Sequence, residues 1–468
     1  MANFFREPDR RQRYLLPVDM ADWVPETDMV HLLLDVVALM DLSAFEQHYT
    51  KRGTGAPPFA PWMMVCLLIY AYANGQRSSR RIERLCERDA GFRMIVGSEV
   101  PDHSVIARFR KRHRSEFEAL FVEVLKLCHA AGLVRLGVVA LDGTKVKANA
   151  AMAANRTARS LEKEISLEAE VASMVSEAET TDAAEDAMFG DERGDEMPAD
   201  LRDPSGRNAR LRTCLDRIRA EAQAEAARQQ EKIDTRASEE KATGKAKRGR
   251  KPKPAEDVVD EEAKANVTDP DSRIMKSRKG YIQGYNAQAM VTAEQIIIAQ
   301  DETNQANDVQ QLTPMVARTL ATMEAVTGDE VALGVGLFDA GYWSEENVAK
   351  ETEACEYLIA TNKDWKQRQA MRDAPPPRGR MPKDTSPRDR MERKLLTKRG
   401  RALYRLRGQT VEPVFGQMKE TQGADRFMMR GDQETKGEWA LHCAAHNFRK
   451  LHSESVRKAG SDRKKHRN

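Results

Sequence analysis

Through the first 130 residues the apolar positions recur every three or four places, the period of helices that bury one face. Val30 to Leu42 carries such a stripe, and Pro61 opens a second helix that runs through Ala73. Proline is tolerated in that position because a first-turn N–H has no helical partner. Ser79 to Asp89 predicts a third helix, with Ile82, Leu85 and Cys86 on one face and Arg80, Arg81, Arg84 and Arg88 around it. In a fourth, Asp102 is the N-cap, Val105, Ile106 and Phe109 turn inward, and Arg108, Lys111 and Arg112 point outward. That last segment is similar to the second helix of a helix-turn-helix, where the outward cations meet DNA; a solvated basic face is the alternative.

Near residue 136 the period changes to short continuous apolar runs, which predict buried strands. They are 136–142, Tyr281 to Val291, Gln295 to Gln300, 331–338, and Tyr357 to Thr361, with Thr292-Ala293-Glu294 as the short connection between the second and third. Helical spacing returns from Asp308 to Met323, with Leu312, Val316 and Leu320 on one stripe, and again from Ser344. The Pro/Arg/Lys-rich 366–393 predicts a loop, followed by helical patterning from Leu395, with a break, to about Leu451. A mixed sheet with helices is an α/β fold.

Between about 155 and 265 the chain turns rich in Ala, Glu, Lys and Arg and nearly lacks aromatics. Leu161, Ile165, Leu167, Val171 and Val175 predict one long helix, and Leu211, Leu215 and Ile218 begin another. An antiparallel helical hairpin with a mobile acidic tip over 178–206 is the expected shape. The stretch Lys245 to Pro254 is basic and extended, and its Arg248-Gly249-Arg250-Lys251-Pro252 resembles a minor-groove AT-hook. An unstructured basic linker fits that composition equally well.

Composition sharpens this picture in one respect. The 468 residues are 32% charged and 6% aromatic, yet the net charge is only +3. The charges are segregated: arginines crowd 77–114, acids crowd 162–196, and Arg457 to Arg467 is basic. Local basic fields suit a polyphosphate partner. The six cysteines show no C-x-x-C spacing, against zinc ribbons and disulfide frameworks. The Met-Ala-Asn-Phe-Phe-Arg-Glu start lacks a signal-peptide layout, and Trp62 to Ala73 is shorter than the roughly 20 residues a bilayer span needs. A cytoplasmic protein with no membrane partner is the expectation.

Three carboxylates then stand out by their settings. Asp142 and Asp339 each end an apolar run and are followed by Gly143-Thr144-Lys145 and Ala340-Gly341-Tyr342, while Glu412 opens an amphipathic stretch to Lys419. Singly, each has an ordinary reading: Asp-Gly is a common turn, and a first-turn glutamate is favoured by the helix dipole. Two strand-end aspartates with one helical glutamate are the all-oxygen set that hard cations need for phosphodiester chemistry. That chemistry uses two ions about 3.5–4 Å apart, one activating the attacking oxygen and one stabilising the leaving oxygen.

Leu141-Asp142-Gly143-Thr144-Lys145, Phe338-Asp339-Ala340-Gly341-Tyr342 and Tyr404-x-x-Arg407…Glu412…Lys419 resemble the motifs of bacterial insertion-sequence transposases of the DDE type. Pro61-Trp62-Met63, Pro101-Asp102-His103-Ser104, Gly280-Tyr281…Gly284-Tyr285-Asn286-Ala287-Gln288 and Ala445-His446-Asn447 are similar to further segments of that family. The resemblance implies a ribonuclease-H-like catalytic domain over 131–154 and 266–452, interrupted by the 155–265 insertion. A helical DNA-binding domain over 1–130 would precede it and a basic tail over 453–468 would follow. It also implies strand cleavage and transfer of 3′ ends with Mg²⁺, for which Mn²⁺ substitutes, by Asp142, Asp339 and Glu412. Lys419 and Arg407 would hold phosphates near the cleaved end, and Tyr404 would orient a phosphate or stack on a base. Arg108, Lys111, Arg112, Arg248 and Arg250 complete the DNA-facing set. The partner is double-stranded DNA, both element ends and target, bound by a homodimer or larger assembly.

One spacing departs from the family. Four residues separate Arg407 from Glu412 where the family has three, which puts the role of Arg407 in question. Gly408 ending one helix, Thr410 capping the next and Pro413 in its first turn would accommodate the extra residue. Val411, Val414 and Met418 would then face the sheet. Two other classes stay open on the sequence: a metal-dependent nuclease or resolvase of the same fold, and a transposase-derived DNA-binding protein that no longer cuts. His442 and His446, on an apolar late helix, read as packing residues, and Asp269 and Asp271 as an Asx-turn where order resumes.

Overall fold

A computed structural model describes residues 19–49, 57–166, 204–244, 246, 252–255, 263–277, 280–362, 366, 369–370, 373–379, 381–382 and 384–465. The four helices expected at the start are present as α1 (Met29–Val37), α3 (Pro61–Ala73), α4 (Ser79–Arg88) and α6 (His103–Arg112), and α2 (Ser43–Glu46), α5 (Ala90–Val96) and α7 (Glu116–Ala130) join them. The stripe from Val30 to Leu42 is helical only as far as Val37, and a turn from Ala38 leads to α2. In α3 every residue from Met63 to Ala73 is buried, the condition of a helix apolar on all sides. Asp102 caps α6 as expected, its carboxylate accepting from Ser104 N at 2.7 Å and Val105 N at 2.9 Å.

Strand β1 (Gly137–Lys147) is longer than the apolar run and corrects the first expectation about Asp142, which lies mid-strand. The polar half of the strand, from Asp142 to Lys147, pairs antiparallel with the long β5 (Gly280–Thr292), so backbone bonds extend it where hydropathy stops. At its end the chain leaves through β2 (Asn155–Thr157), and it returns through β3 (Lys264–Asn266), which pairs with β2. Between them residues 158–166 are helical and α8 (Pro204–Thr243) is a 40-residue helix, about 60 Å at 1.5 Å per residue. Leu161 packs with Leu211, Cys214, Leu215, Ile218 and Ala265 in a small core of its own, so the hairpin base forms as expected. Leu167, Val171, Val175, the acidic tip from 178 to 203, and Arg248 and Arg250 lie outside the described residues.

After β4 (Arg273–Ser277) and β5 come β6 (Ile297–Thr303) and α9 (Leu312–Thr327), then β7 (Gly334–Phe338), α10 (Glu345–Ala349) and β8 (Cys355–Ile359). The sheet runs β4-β5-β1-β7-β8, with β6 also paired to β5. Strands β4 and β6 lie antiparallel along successive parts of β5, β1 is antiparallel to β5, and β1, β7 and β8 are mutually parallel. This is a mixed sheet flanked by helices. The segment 366–393, expected as loop, contains the start of α11 (Pro387–Leu396), capped by Ser386 with Pro387 in its first turn. Then follow α12 (Lys398–Arg405), α13 (Arg407–Thr421) and α14 (Asp432–Lys465).

Helix α14 joins the two halves. Trp439 Nε1 donates to Gln288 O at 3.1 Å on β5, and buried Asn447 exchanges two hydrogen bonds with the backbone of Ile297 on β6, at 2.9 and 2.7 Å. It also packs against α3 and α7. One continuous apolar core therefore runs from α1 through the sheet to α14. All six cysteines are free and buried within these cores. No helix among the described residues is long and apolar enough to cross a membrane.

Candidate active site

The site forms where β7 stops. Its last residue, Phe338, pairs with Leu141, so from Asp142 to Val146 β1 has no strand partner on that side among the described residues, and only at Lys147 does a parallel bridge to Arg426 take up that edge again. Adjacent strands lie about 4.8 Å apart, which places Asp339, the next residue after β7, beside Asp142. Asp339 makes an Asx-turn, its Oδ1 accepting from Gly341 N at 2.7 Å. The apolar face of α13 lies over β1 and β5, with Val411, Val414 and Met418 buried as expected. Glu412 projects from the same helix, its side chain 56% exposed.

The break expected near Gly408 is absent. Helix α13 begins at Arg407 and runs through Thr410 and Pro413 without interruption. Thr410 bonds back to Leu406 O at 2.7 Å instead of capping. Pro413 leaves the carbonyl of Gln409 without its helical donor, and Gln295 Nε2, from the β5–β6 turn, supplies one at 3.1 Å. The tertiary partner thus makes an interior proline tolerable, and the helix stays whole.

Arg407 consequently points into the carboxylates. Its Nη2 donates to Asp142 Oδ2 at 2.7 Å and its Nη1 lies 3.6 Å from Glu412 Oε1. Burial pushes the Asp142 carboxyl up to about 6; Arg407 opposes that, while Asp339 and Asp308 add to it. For Arg407 burial disfavours the charge, but Asp142, Tyr404, Asp339 and Glu412 together hold the guanidinium above its ordinary value. Tyr404 donates its hydroxyl to Phe338 O at 3.0 Å, anchoring α12 on the end of β7. Lys419 Nζ donates to Lys145 O at 3.2 Å, so Glu412 and Lys419 both reach toward the same stretch of β1.

A fourth carboxylate, Asp308, stands at the site and was not among the expected residues. The pattern placed it in the first turn of a helix, whereas it precedes a short 3₁₀ turn, Val309–Gln311, that leads into α9. Its Oδ1 accepts from Asn286 Nδ2 at 2.7 Å, Gln288 Nε2 at 3.0 Å and Lys145 Nζ at 3.3 Å. Tyr342 donates its hydroxyl to Gln288 Oε1. Glycine is required twice in this crowd. A Cβ on Gly143 would stand 2.8 Å from Asp308 Oδ1 and 2.9 Å from Asn286 Oδ1, and one on Gly341 2.8 Å from Asp339 Oδ1. The sequence signal that could have pointed here was the pair of amides, Asn286 and Gln288, alternating with small apolar residues on a buried stretch of β5.

The donor set is carboxylate oxygen throughout, which suits a hard divalent cation and not a soft one. Among the described residues, the trio with all ligand atoms within 4.8 Å of one another is His48, His113 and Glu116, far back in the helical region. Asp142, Asp339 and Glu412 are set wider, with Arg407 between two of them.

The remaining expected residues fall elsewhere. On α6, Arg108, Lys111 and Arg112 are exposed as expected, Arg112 lying 5.6 Å over the ring of Tyr49, while Arg110 is buried and bonded to Tyr72 and Ser79. His442 is enclosed against Tyr72 and Trp439, and His446 Nε2 contacts Gln295 O at 3.0 Å, both packing roles. Asp269 is buried and accepts from Tyr285 at 2.9 and 3.0 Å; the turn that precedes it is built by Asn266.

Two family models match the chain. One, described as a transposase domain (DUF772), covers residues 18–112, which hold α1 to α6. The other, described as a transposase DDE domain, covers residues 366–452, which hold Tyr404, Arg407, Glu412, Lys419 and Asn447. Asp142 and Asp339 lie in neither matched segment. No curated protein and no solved structure matches.

Proposed function

We propose that the chain is a transposase of the DDE type, as its two matched segments support, and that it binds the ends of its element, cuts DNA strands and joins their 3′ ends to target DNA. The observation that supports this most is the meeting of Asp142 and Asp339 at the end of β7 with Glu412 held over them by α13. Strand order β6-β5-β1-β7-β8, antiparallel across the first three and parallel across the last three, supports a ribonuclease-H-like core. Asp142, Asp339 and Glu412 would hold two Mg²⁺ ions. Bound there, the ions would activate the attacking oxygen and stabilise the leaving one.

The chain's own residues do the rest. Arg407, between Asp142 and Glu412, would meet a scissile phosphate there, and Lys419, about two turns beyond Glu412 on the same helix, would contact the flanking phosphate. The outward cations of α6 would bind the backbone of the element end. Residues 1–130 would thus hold DNA, and 131–154 with 266–452 would act on it, in a homodimer or larger assembly working in the bacterial cytoplasm.

Mg²⁺-dependent cleavage and joining of a labelled duplex carrying the element end tests this. Asp142→Asn, Asp339→Asn and Glu412→Gln are each expected to lower cleavage at least a hundredfold while end-binding persists, because each removes a ligand and little volume. A variant that cuts at the wild-type rate would remove its residue from the site. Cleavage with no joined product would make the protein a nuclease, and binding alone would make it a DNA-holding relic.

A further inference from the structure

The carboxylate at Asp308 has one oxygen fully engaged and one free. Three donors fix Oδ1, from Asn286, Gln288 and Lys145, while Oδ2 takes no hydrogen bond among the described residues. The donors are themselves held: Gln288 by Tyr342, and Lys145 by Ala306 O at 2.9 Å. Oδ2 lies on the side of Gly341 and Asp339. The point where a Cβ on Gly341 would stand is 2.8 Å from Asp339 Oδ1 and 3.2 Å from Asp308 Oδ2. Alternation along β1 puts Gly143 and Lys145 on the face opposite Asp142. Asp308 therefore approaches from the other side of the sheet, and the two sides meet around the edge of β1 that β7 leaves bare.

An anionic oxygen kept without a partner beside two other carboxylates is repelled by them in the absence of a cation. Nothing in the anchoring of α9 needs it, since Oδ1 alone meets every donor. We propose that Asp308 is a fourth carboxylate of the divalent-cation site, contributing Oδ2 on the Asp339 side, that the amides of Asn286 and Gln288 position it, and that Lys145 is the counter-charge a cation competes with. This rests on the two-cation reading of Asp142, Asp339 and Glu412.

Mn²⁺ titration of the full-length protein without DNA, followed by electron paramagnetic resonance, tests it with no reference to turnover. Asp308→Asn keeps an acceptor oxygen for all three donors and removes only the charge, so the fold should survive. The expected result is at least a tenfold loss of affinity for one Mn²⁺, with partial recovery in Asp308→Glu and none of the loss in the distant Asp329→Asn. Mn²⁺ binding unchanged in Asp308→Asn, but abolished in Asp142→Asn, would overturn the role of Asp308 and leave the triad standing. A wild-type protein that binds no Mn²⁺ would overturn both together. Should Asp308→Asn melt early, Lys145→Met gives the second arm: freeing Asp308 from its counter-charge should tighten Mn²⁺, and no change would again count against the proposal.

Discussion

A carboxylate or an imidazole is read in a sequence by its neighbours, but its protonation is set by what folds around it. Asp142 was recognisable because it closes an apolar run, and Glu412 because it opens an amphipathic one. Asp308 was not, since it sits at the head of a helical stripe where an acid is ordinary. His446 shows the same divide with an opposite charge. Burial in α14, with Lys450 and Arg449 nearby, lowers its pKa to about 4, below the unfolded value of about 6.5. The unfolded chain thus takes the proton first, and this residue's contribution is full above pH 6.5 and lost as the pH falls toward 4. His446→Gln, which keeps a donor for Gln295 O, should be free of that loss. Denaturant unfolding at pH 7.5 and 5 checks it: wild type should lose stability relative to the variant, by about 2 kcal/mol between the two pH values. Equal slopes would mean His446 protonates in place.

At the scale of elements, periodicity located the long helices and the apolar strands but missed short or partly polar ones such as α5 and β4, and it misjudged where several elements stop. Strand β1 outruns its apolar run because β5 offers hydrogen bonds as far as Lys147. Helix α13 outruns its breakers because Gln295 satisfies the carbonyl that Pro413 orphans. Removing that donor should matter only while the proline is present. Gln295→Ala is expected to cost about 1–2 kcal/mol, the penalty for a polar group left unpaired. In a Pro413→Ala background the residue 413 N–H can bond Gln409 O, and the cost should shrink. Gln295 also accepts from Lys450 Nζ at 2.7 Å, so some cost remains. A double-mutant cycle by chemical denaturation measures the difference, and a coupling near zero would show that Gln409 O does not depend on Gln295.

For the whole molecule, charge was legible as segregation along the chain, and the fold turns one part of it into a surface. Helix α6 hides Ile106, Phe109 and even Arg110, leaving Arg108, Lys111 and Arg112 exposed. If that face binds element ends, Arg108→Ala with Lys111→Ala should weaken binding and lower the slope of log affinity against log salt by about 2, near 0.9 for each DNA phosphate no longer neutralised. Fluorescence anisotropy across a salt series reads this, and an undiminished slope would move the interface elsewhere. The division at residue 130 was also drawn from sequence, where helical spacing yields to strand runs. In space α3 and α7 bury against α14, so the first and last parts of the chain complete one core.

Local chemistry and period were written in the sequence: which segments are helices or strands, where the hairpin leaves and returns, and which three acids to suspect. These depend on neighbours within a few positions, and such interactions repeat with the geometry of the backbone. The tertiary structure alone decided that β7 ends opposite Leu141, that Gln295 repairs α13, that Arg407 lies between Asp142 and Glu412, and that Asp308 arrives from across the sheet. Each of these joins residues far apart in the chain, Arg407 and Asp142 by 265 positions. No periodicity carries that information, because the contact exists only once the sheet has closed.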